Sequence, residues 1–320
     1  MKRRFESRLW CAGKRVAVLV VLMVLTAASA GRAEQMQERR SPLQAAILAG
    51  EDSRVRELIV QGAPVDEGLI TAARTGNLEL LELLLTSGAD ATGFFGARAL
   101  AVALMAENEE ASAFLEERGA NLEARDEAGR TVLVWASGQK RLGPLVRTAM
   151  VHGAALDAAS RTGETALMTA ARHGRVGTVR TLLAAGAAVD TRDRDGWTAL
   201  MHALRSRSPK IVGRLLRAGA DHSVESSLGW TPLMLAVREG ELATVNRLLR
   251  SGADPNRRTD TVPPPLVGAV QWADATVVRR LLLAGADGGT GDPGDALWWA
   301  RKLGRRKVAS ILARAAGAAP

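Results

Sequence analysis

From Arg161 to Asp195 the apolar and polar positions follow a fixed order. Ala166, Leu167, Met168, Ala170 and Ala171 form a short apolar run behind Thr165. Val176, Val179, Leu182 and Leu183 then recur at spacings of three and four, and Ala187 to Gly196 is polar, with Asp190, Asp193 and Asp195. The first run predicts a helix whose leading turn is capped by the Thr165 hydroxyl. The second predicts a helix with one buried face. Gly174 and Gly186 stand where a left-handed glycine stops a helix, and the aspartate-rich remainder has turn chemistry.

The order repeats. Gly-Ala recurs at Gly153, Gly186, Gly219, Gly252 and Gly285, at four intervals of 33 residues, and Gly-x-Thr keeps the same beat at Gly129, Gly163, Gly196 and Gly229. A period of this length predicts stacked supersecondary units that share a continuous core. Without it, 320 residues would suggest about two globular domains. The lack of Tyr and the 3% aromatic content suit close helix packing, whereas a sandwich or barrel needs more β-branched and aromatic residues.

The unit resembles the ankyrin repeat. The closest copy is Leu228-Gly229-Trp230-Thr231-Pro232-Leu233-Met234-Leu235-Ala236 with Leu248-Leu249 and Gly252-Ala253-Asp254. Leu84-Leu85 with Gly88-Ala89-Asp90, and Leu282-Leu283 with Gly285-Ala286-Asp287, fit its second half. The resemblance covers about 42–315. It implies an all-α solenoid of helix-turn-helix units with β-turn or hairpin fingers, in about nine repeats: 42–66, 68–93, 98–125, 126–158, 159–192, 193–225, 226–258, 259–291 and 292–315. The 26-residue step from Gly62 to Gly88 requires a shortened first finger. Where the family usually has histidine, this chain carries Val134, Met168, Met201 and Met234. Apolar filling of that space is expected there.

The N-terminus has a different character. Lys2, Arg3, Arg4, Arg8, Lys14 and Arg15 precede the apolar run Val16 to Leu25, and Ala28-Ser29-Ala30 fits a small-x-small cleavage site. The pattern predicts a secretory signal peptide over 1–30, with an uncleaved anchor as the alternative. A disordered lead-in over 31–41 and a tail over 316–320 flank the repeats. Cys11, the sole cysteine, falls in the removed part, so no disulfide, cysteine metal site or thiol chemistry is expected in the mature chain. A periplasmic or secreted location follows. Removing 1–30 lowers the net charge from +9 to +4. The remainder is polarised, with 7 Arg against 16 Asp and Glu over 41–130 and 27 Lys and Arg against 15 Asp and Glu over 131–320.

No catalytic constellation emerges, and no cofactor or metal is expected. His152, His173, His202 and His222 lack the helical spacing of metal ligands and are expected at the surface. The loop Asp190 to Gly196 alternates carboxylates like a calcium loop, but two arginines interrupt it. Asp126 and Asp193 are expected to serve as turn formers. Trp197 and Trp230 occupy one register at the base of successive fingers, where Arg130 and Glu164 stand in earlier copies. Exposed Trp beside Arg is the composition of an interface hot spot, although packing on a neighbouring finger would also explain them. Together with Trp135 on a first helix and Arg194 in a finger, these form the candidate partner-binding set. The family resemblance implies a non-enzymatic scaffold that binds another protein, with an acidic surface suiting the basic half, through the concave face of fingers and first helices. A monomer is expected. A secreted effector that binds host proteins is the alternative. The later arginines are spread one or two per repeat over outer helix positions, which predicts a solvated face rather than a nucleic-acid site.

Overall fold

The computed structural model describes residues 41–289 and 291–317; the proposed signal peptide, lead-in residues 31–40 and tail residues 318–320 lie outside the described residues. Among the described residues there are 18 helices and no strand. The chain divides after Asp90 into two compact units.

The first unit holds α1 (Pro42–Ala49), α2 (Asp52–Val60), α3 (Val65–Thr75) and α4 (Leu78–Thr86). Ser41 opens α1 through a reciprocal box: the Gln44 N–H donates to Ser41 Oγ at 3.3 Å, and the Ser41 N–H donates to Gln44 Oε1 at 3.2 Å. Each bond satisfies an amide that the helix geometry leaves orphaned. Pro64, in extended conformation, starts α3 directly behind Gly62-Ala63. No room is left for a finger, as the short step between glycines requires, and α3 begins inside the span assigned to the first repeat. Leu43, Leu69, Leu81 and Leu84 form the dry centre, each fully buried.

The second unit stacks seven helix pairs: α5 (Phe94–Met105) with α6 (Glu109–Glu117), α7 (Val132–Ser137) with α8 (Gly143–Val151), α9 (Ala166–Arg172) with α10 (Val176–Ala184), and α11 (Ala199–Arg205) with α12 (Pro209–Arg217). The last three are α13 (Pro232–Glu239) with α14 (Leu242–Arg250), α15 (Pro265–Trp272) with α16 (Ala275–Leu283), and α17 (Ala296–Lys302) with α18 (Arg306–Ala315). First helices from α7 onward pack on first helices and form an inner layer. From α8 onward, second helices pack on second helices and form an outer one. Helix α5 starts at Phe94, four residues before the expected boundary at 98, because Phe94 and Phe95 already belong to the packed cluster described below.

Thr131, Thr165 and Thr231 cap α7, α9 and α13 by accepting the N–H of Val134, Met168 and Met234 at 3.4, 3.4 and 3.2 Å. Val134, Met168, Met201 and Met234 are at most 1% exposed, so apolar side chains fill the space left by the missing histidines.

Each finger is a turn closed on a glycine. The N–H groups of Gly129, Gly163, Gly196 and Gly229 donate to the carbonyls of Asp126, Ser160, Asp193 and Ser226 at 2.8–2.9 Å. Successive fingers share one backbone bond, from Arg161 N–H to Ala128 O, Arg194 N–H to Thr162 O and Ser227 N–H to Asp195 O, at 2.8–3.0 Å. Within each finger a further bond runs back from Asp126, Ser160, Asp193 and Ser226 N–H to the carbonyls of Arg130, Glu164, Trp197 and Trp230 at 2.9–3.0 Å, which gives the expected turn fingers. A side-chain oxygen adds a second link: Glu123 accepts from Ala155 N–H at 2.7 Å, and Asp157 from Ala188 and Asp190 from Asp221 at 2.9 Å.

Helix α15 lacks a terminating glycine and leaves through buried, extended Ala273. Arg305, from the next repeat, closes it instead, donating to the Val270 carbonyl at 2.5 Å and the Ala273 carbonyl at 2.7 Å. Arg305 is therefore structural.

Two glycines with positive φ test how the stack is held. A Cβ on Gly174 (φ +69°) would meet nothing within 4 Å, whereas one on Gly196 (φ +74°) would lie 2.8 Å from both the Ser227 amide nitrogen and Arg192 Nη2. Gly174→Ala should cost about 1 kcal/mol, and Gly196→Ala about 3 kcal/mol because the next finger must also shift. Equal urea midpoints for the two variants would refute the coupling between fingers.

Candidate partner-binding face

The face is set by a register in the repeat. A residue held between the finger glycine and the capping threonine stands beside the last turn of its own first helix, eight positions later. Three consecutive repeats fill this pair with different chemistry. Glu164 meets Arg172 with an N···O distance of 2.6 Å. Trp197 lies under the Arg205 guanidinium, 5.7 Å from the ring centroid, and Trp230 lies under that of Arg238 at 4.5 Å. Arg172, Arg205 and Arg238 are thus spaced 33 residues apart on the inner layer, and each is at least partly exposed. The signal was present in the sequence as a third phrase at the repeat interval, and motif reading passed over it.

Arg130 fills the same register one repeat earlier but turns back on its own finger. Its Nε donates to Asp126 Oδ2 at 2.8 Å while Asp126 Oδ1 accepts the Arg130 N–H at 2.8 Å. Partial burial pulls the Asp126 carboxyl upward, but these bonds and the guanidinium charge outweigh it and hold the group below the usual carboxylate range. Arg194 is exposed in its finger, and its backbone N–H serves the inter-finger bond.

Trp197 and Trp230, expected as neighbours, each pack on a different ring. Trp197 lies against His202 with centroids 5.5 Å apart, and Trp230 against Trp272 at 5.8 Å. Both are half-buried, so each ring combines a packed face with an accessible edge. Trp272, at the end of α15, is 41% exposed. Trp135 sits elsewhere, edge-on to Phe94 at 6.0 Å with the Arg98 guanidinium 4.3 Å from its centroid. This cluster joins α5 to α7. The six candidate residues therefore do not converge on one pocket; four share a register, Arg194 stands in a finger, and Trp135, in the same repeat as Arg130, packs back on the repeat before.

His202 corrects the expectation of four surface histidines. It is only 8% exposed, and its Nε2 meets Asp193 Oδ2 at 2.9 Å. Asp193 Oδ1 also accepts the N–H of Asp195 and Trp197 at 3.0 and 2.8 Å, so this carboxylate joins finger, Trp197 and helix α11. Two of the three carboxylates in the loop compared with a calcium site are committed to such bonds, Asp193 as above and Asp190 in holding the following finger. Among the described residues no cluster of metal-ligating side chains forms, and no helix is long and apolar enough to cross a membrane.

With this geometry in view, the comparisons are specific. A family model described as ankyrin repeats in three copies matches residues 139–226, and one described as a single ankyrin repeat matches 228–260. The chain contains ankyrin repeats, and its fold is an all-α repeat solenoid. Among curated proteins no match was found.

His202→Ala should destabilise the chain by about 2 kcal/mol, since it opens a cavity and strips a buried carboxylate oxygen of its donor. It should also change the Trp197 emission; unchanged fluorescence with unchanged stability would contradict the packing. Asp126 supplies a pH test. Because its carboxyl is lowered in the fold, its stabilising contribution is full above the unfolded value near 4 and is lost as pH falls through the folded value. Asp126→Asn should therefore cost stability at neutral pH and lose that deficit in acid, and a deficit independent of pH would refute it.

Proposed function

We propose that this chain is an exported, non-catalytic scaffold of a bacterial cell envelope that captures a partner protein on its inner face of fingers and first helices. Ankyrin repeats generally mediate protein–protein contact, and such repeats cover the part of the chain where the column lies. The observation that carries the finer reading is the column itself: Arg205 and Arg238 lie over Trp197 and Trp230, joining flat apolar rings to cations at one-repeat intervals. Trp and Arg dominate binding energy at interfaces, and a rigid stack loses little conformational entropy on association. The cations favour an acidic segment of the partner. Arg172, already neutralised by Glu164, marks the weaker end of the column. Export rests on the basic and apolar pattern of residues 2–30 and its small-residue close. The protein acts as a monomer in this reading.

The test is capture from the source cells with the tagged full chain, comparing wild type with the Trp230→Ala/Arg205→Ala variant. A partner should be retained by wild type, reduced at least tenfold by the variant, and released as salt rises, while the melting temperature falls by only a few degrees. Capture that survives the variant, or falls only in step with stability, would overturn the assignment. N-terminal sequencing of the chain recovered from the envelope should begin at Gly31, and a retained Met1 would overturn cleavage.

A further inference from the structure

The outer layer of the second unit carries a charge distribution unlike the rest of the chain. Helices α8, α10, α12, α14, α16 and α18 together hold twelve Lys and Arg and not one Asp or Glu. The carboxylates of the same repeats stand in fingers, turns and caps, and one ends the inner helix α13. The sign is opposite in the second helix of the preceding pair, since α6 carries four Glu and no cation. These six basic helices pack in sequence, each on the next, and at the usual 8–10 Å between helix axes they extend over about 50 Å.

None of the twelve cations lies within 4.0 Å of a carboxylate of the described residues, although ion pairs form freely in the fingers and at the ends of the inner helices. Lys210, Arg217, Arg250, Arg279, Arg306 and Lys307 are all exposed. At the last turn of α12 and α14 the 33-residue register places Arg217 and Arg250, and on α16 it places Leu283, which is 79% exposed. An apolar side chain thus stands open at the edge of a cationic layer. Such a face is more concentrated in charge than the dispersed, solvated face that counting arginines per repeat suggests.

We propose that this outer layer docks on an anionic phospholipid surface. The match is one of charge and form. A lipid headgroup plane presents diffuse negative charge without a fixed register, and basic residues near it each add attraction. The layer answers with diffuse positive charge borne on successive helix faces, with Leu283 able to enter the headgroup boundary. Nucleic acid fits less well, because single strands are held in grooves with stacking aromatics, and the aromatic residues of these repeats lie on the inner layer or at its ends. Docking here leaves the column of Arg205 and Arg238, on the other helix layer, open to a partner. The proposal is therefore independent of the partner reading.

The experiment is flotation of the full chain with vesicles of phosphatidylcholine alone or containing phosphatidylglycerol. The quadruple variant Lys210→Gln/Arg217→Gln/Arg250→Gln/Arg279→Gln retains the N-terminal basic run, so that segment contributes equally to both proteins. Partitioning onto the anionic vesicles should fall at least tenfold in this variant and should weaken with salt for wild type. The triple variant Arg217→Lys/Arg250→Lys/Arg279→Lys, which keeps Lys210, should keep binding, which separates lost charge from lost structure. Trp230→Ala/Arg205→Ala should bind vesicles as wild type does. Equal partitioning of wild type and the glutamine variant would overturn the proposal. Removal of wild type from the vesicles by duplex DNA or polyglutamate at equal charge concentration would overturn the choice of lipid.

Discussion

A side-chain oxygen in one finger holds the backbone of the next. Glu123, Asp157 and Asp190 each accept an N–H from the residue 31 or 32 positions onward, and Asn256 does the same for Asp287. A single repeat buries too little apolar surface to fold alone, so its stability depends on a neighbour arriving in register. Helix packing supplies most of the energy, but it tolerates sliding. Directional bonds at the finger side fix the register, and with it the alignment of residues one repeat apart.

That alignment turns a sequence interval into a surface. The positions between Gly and Thr carry an acid, then two indoles, while the end of each first helix presents an arginine to them. At an exposed site a cation above a ring is worth about 0.5–1 kcal/mol. These pairs therefore orient side chains more than they stabilise the fold. The opposite helix layer uses the same register differently, keeping its cations free of carboxylates. From α7 onward carboxylates serve the fingers as turn formers and links, which leaves the helices of both layers basic apart from Glu239.

Much of this was legible before any coordinates. The 33-residue beat, threonine caps, glycine stops and shortened first finger all follow from local chemistry that depends on few residues. His202 was misread because its burial comes from Asp193, nine positions earlier across a turn, and spacing rules for helices do not see such a pair. Phe94 was placed outside its helix because the cluster with Arg98 and Trp135 forms between repeats. Arg172, Arg205 and Arg238 were hidden for another reason: arginine at a helix end reads as ordinary, and only a facing partner gives it meaning.

The contact of Arg305 with the end of α15 gives the stack a direction. Arg175 and Ser206 each lend one such bond to the first helix before them, on the Gly138 and Ala171 carbonyls, whereas α15 takes two from the final repeat. Loss of the last repeat would bare two carbonyls beneath a buried alanine, and the helix before it would fray as well. Erosion from the C-terminal end therefore proceeds by two repeats at a step, and the smallest cooperative piece at that end is a pair.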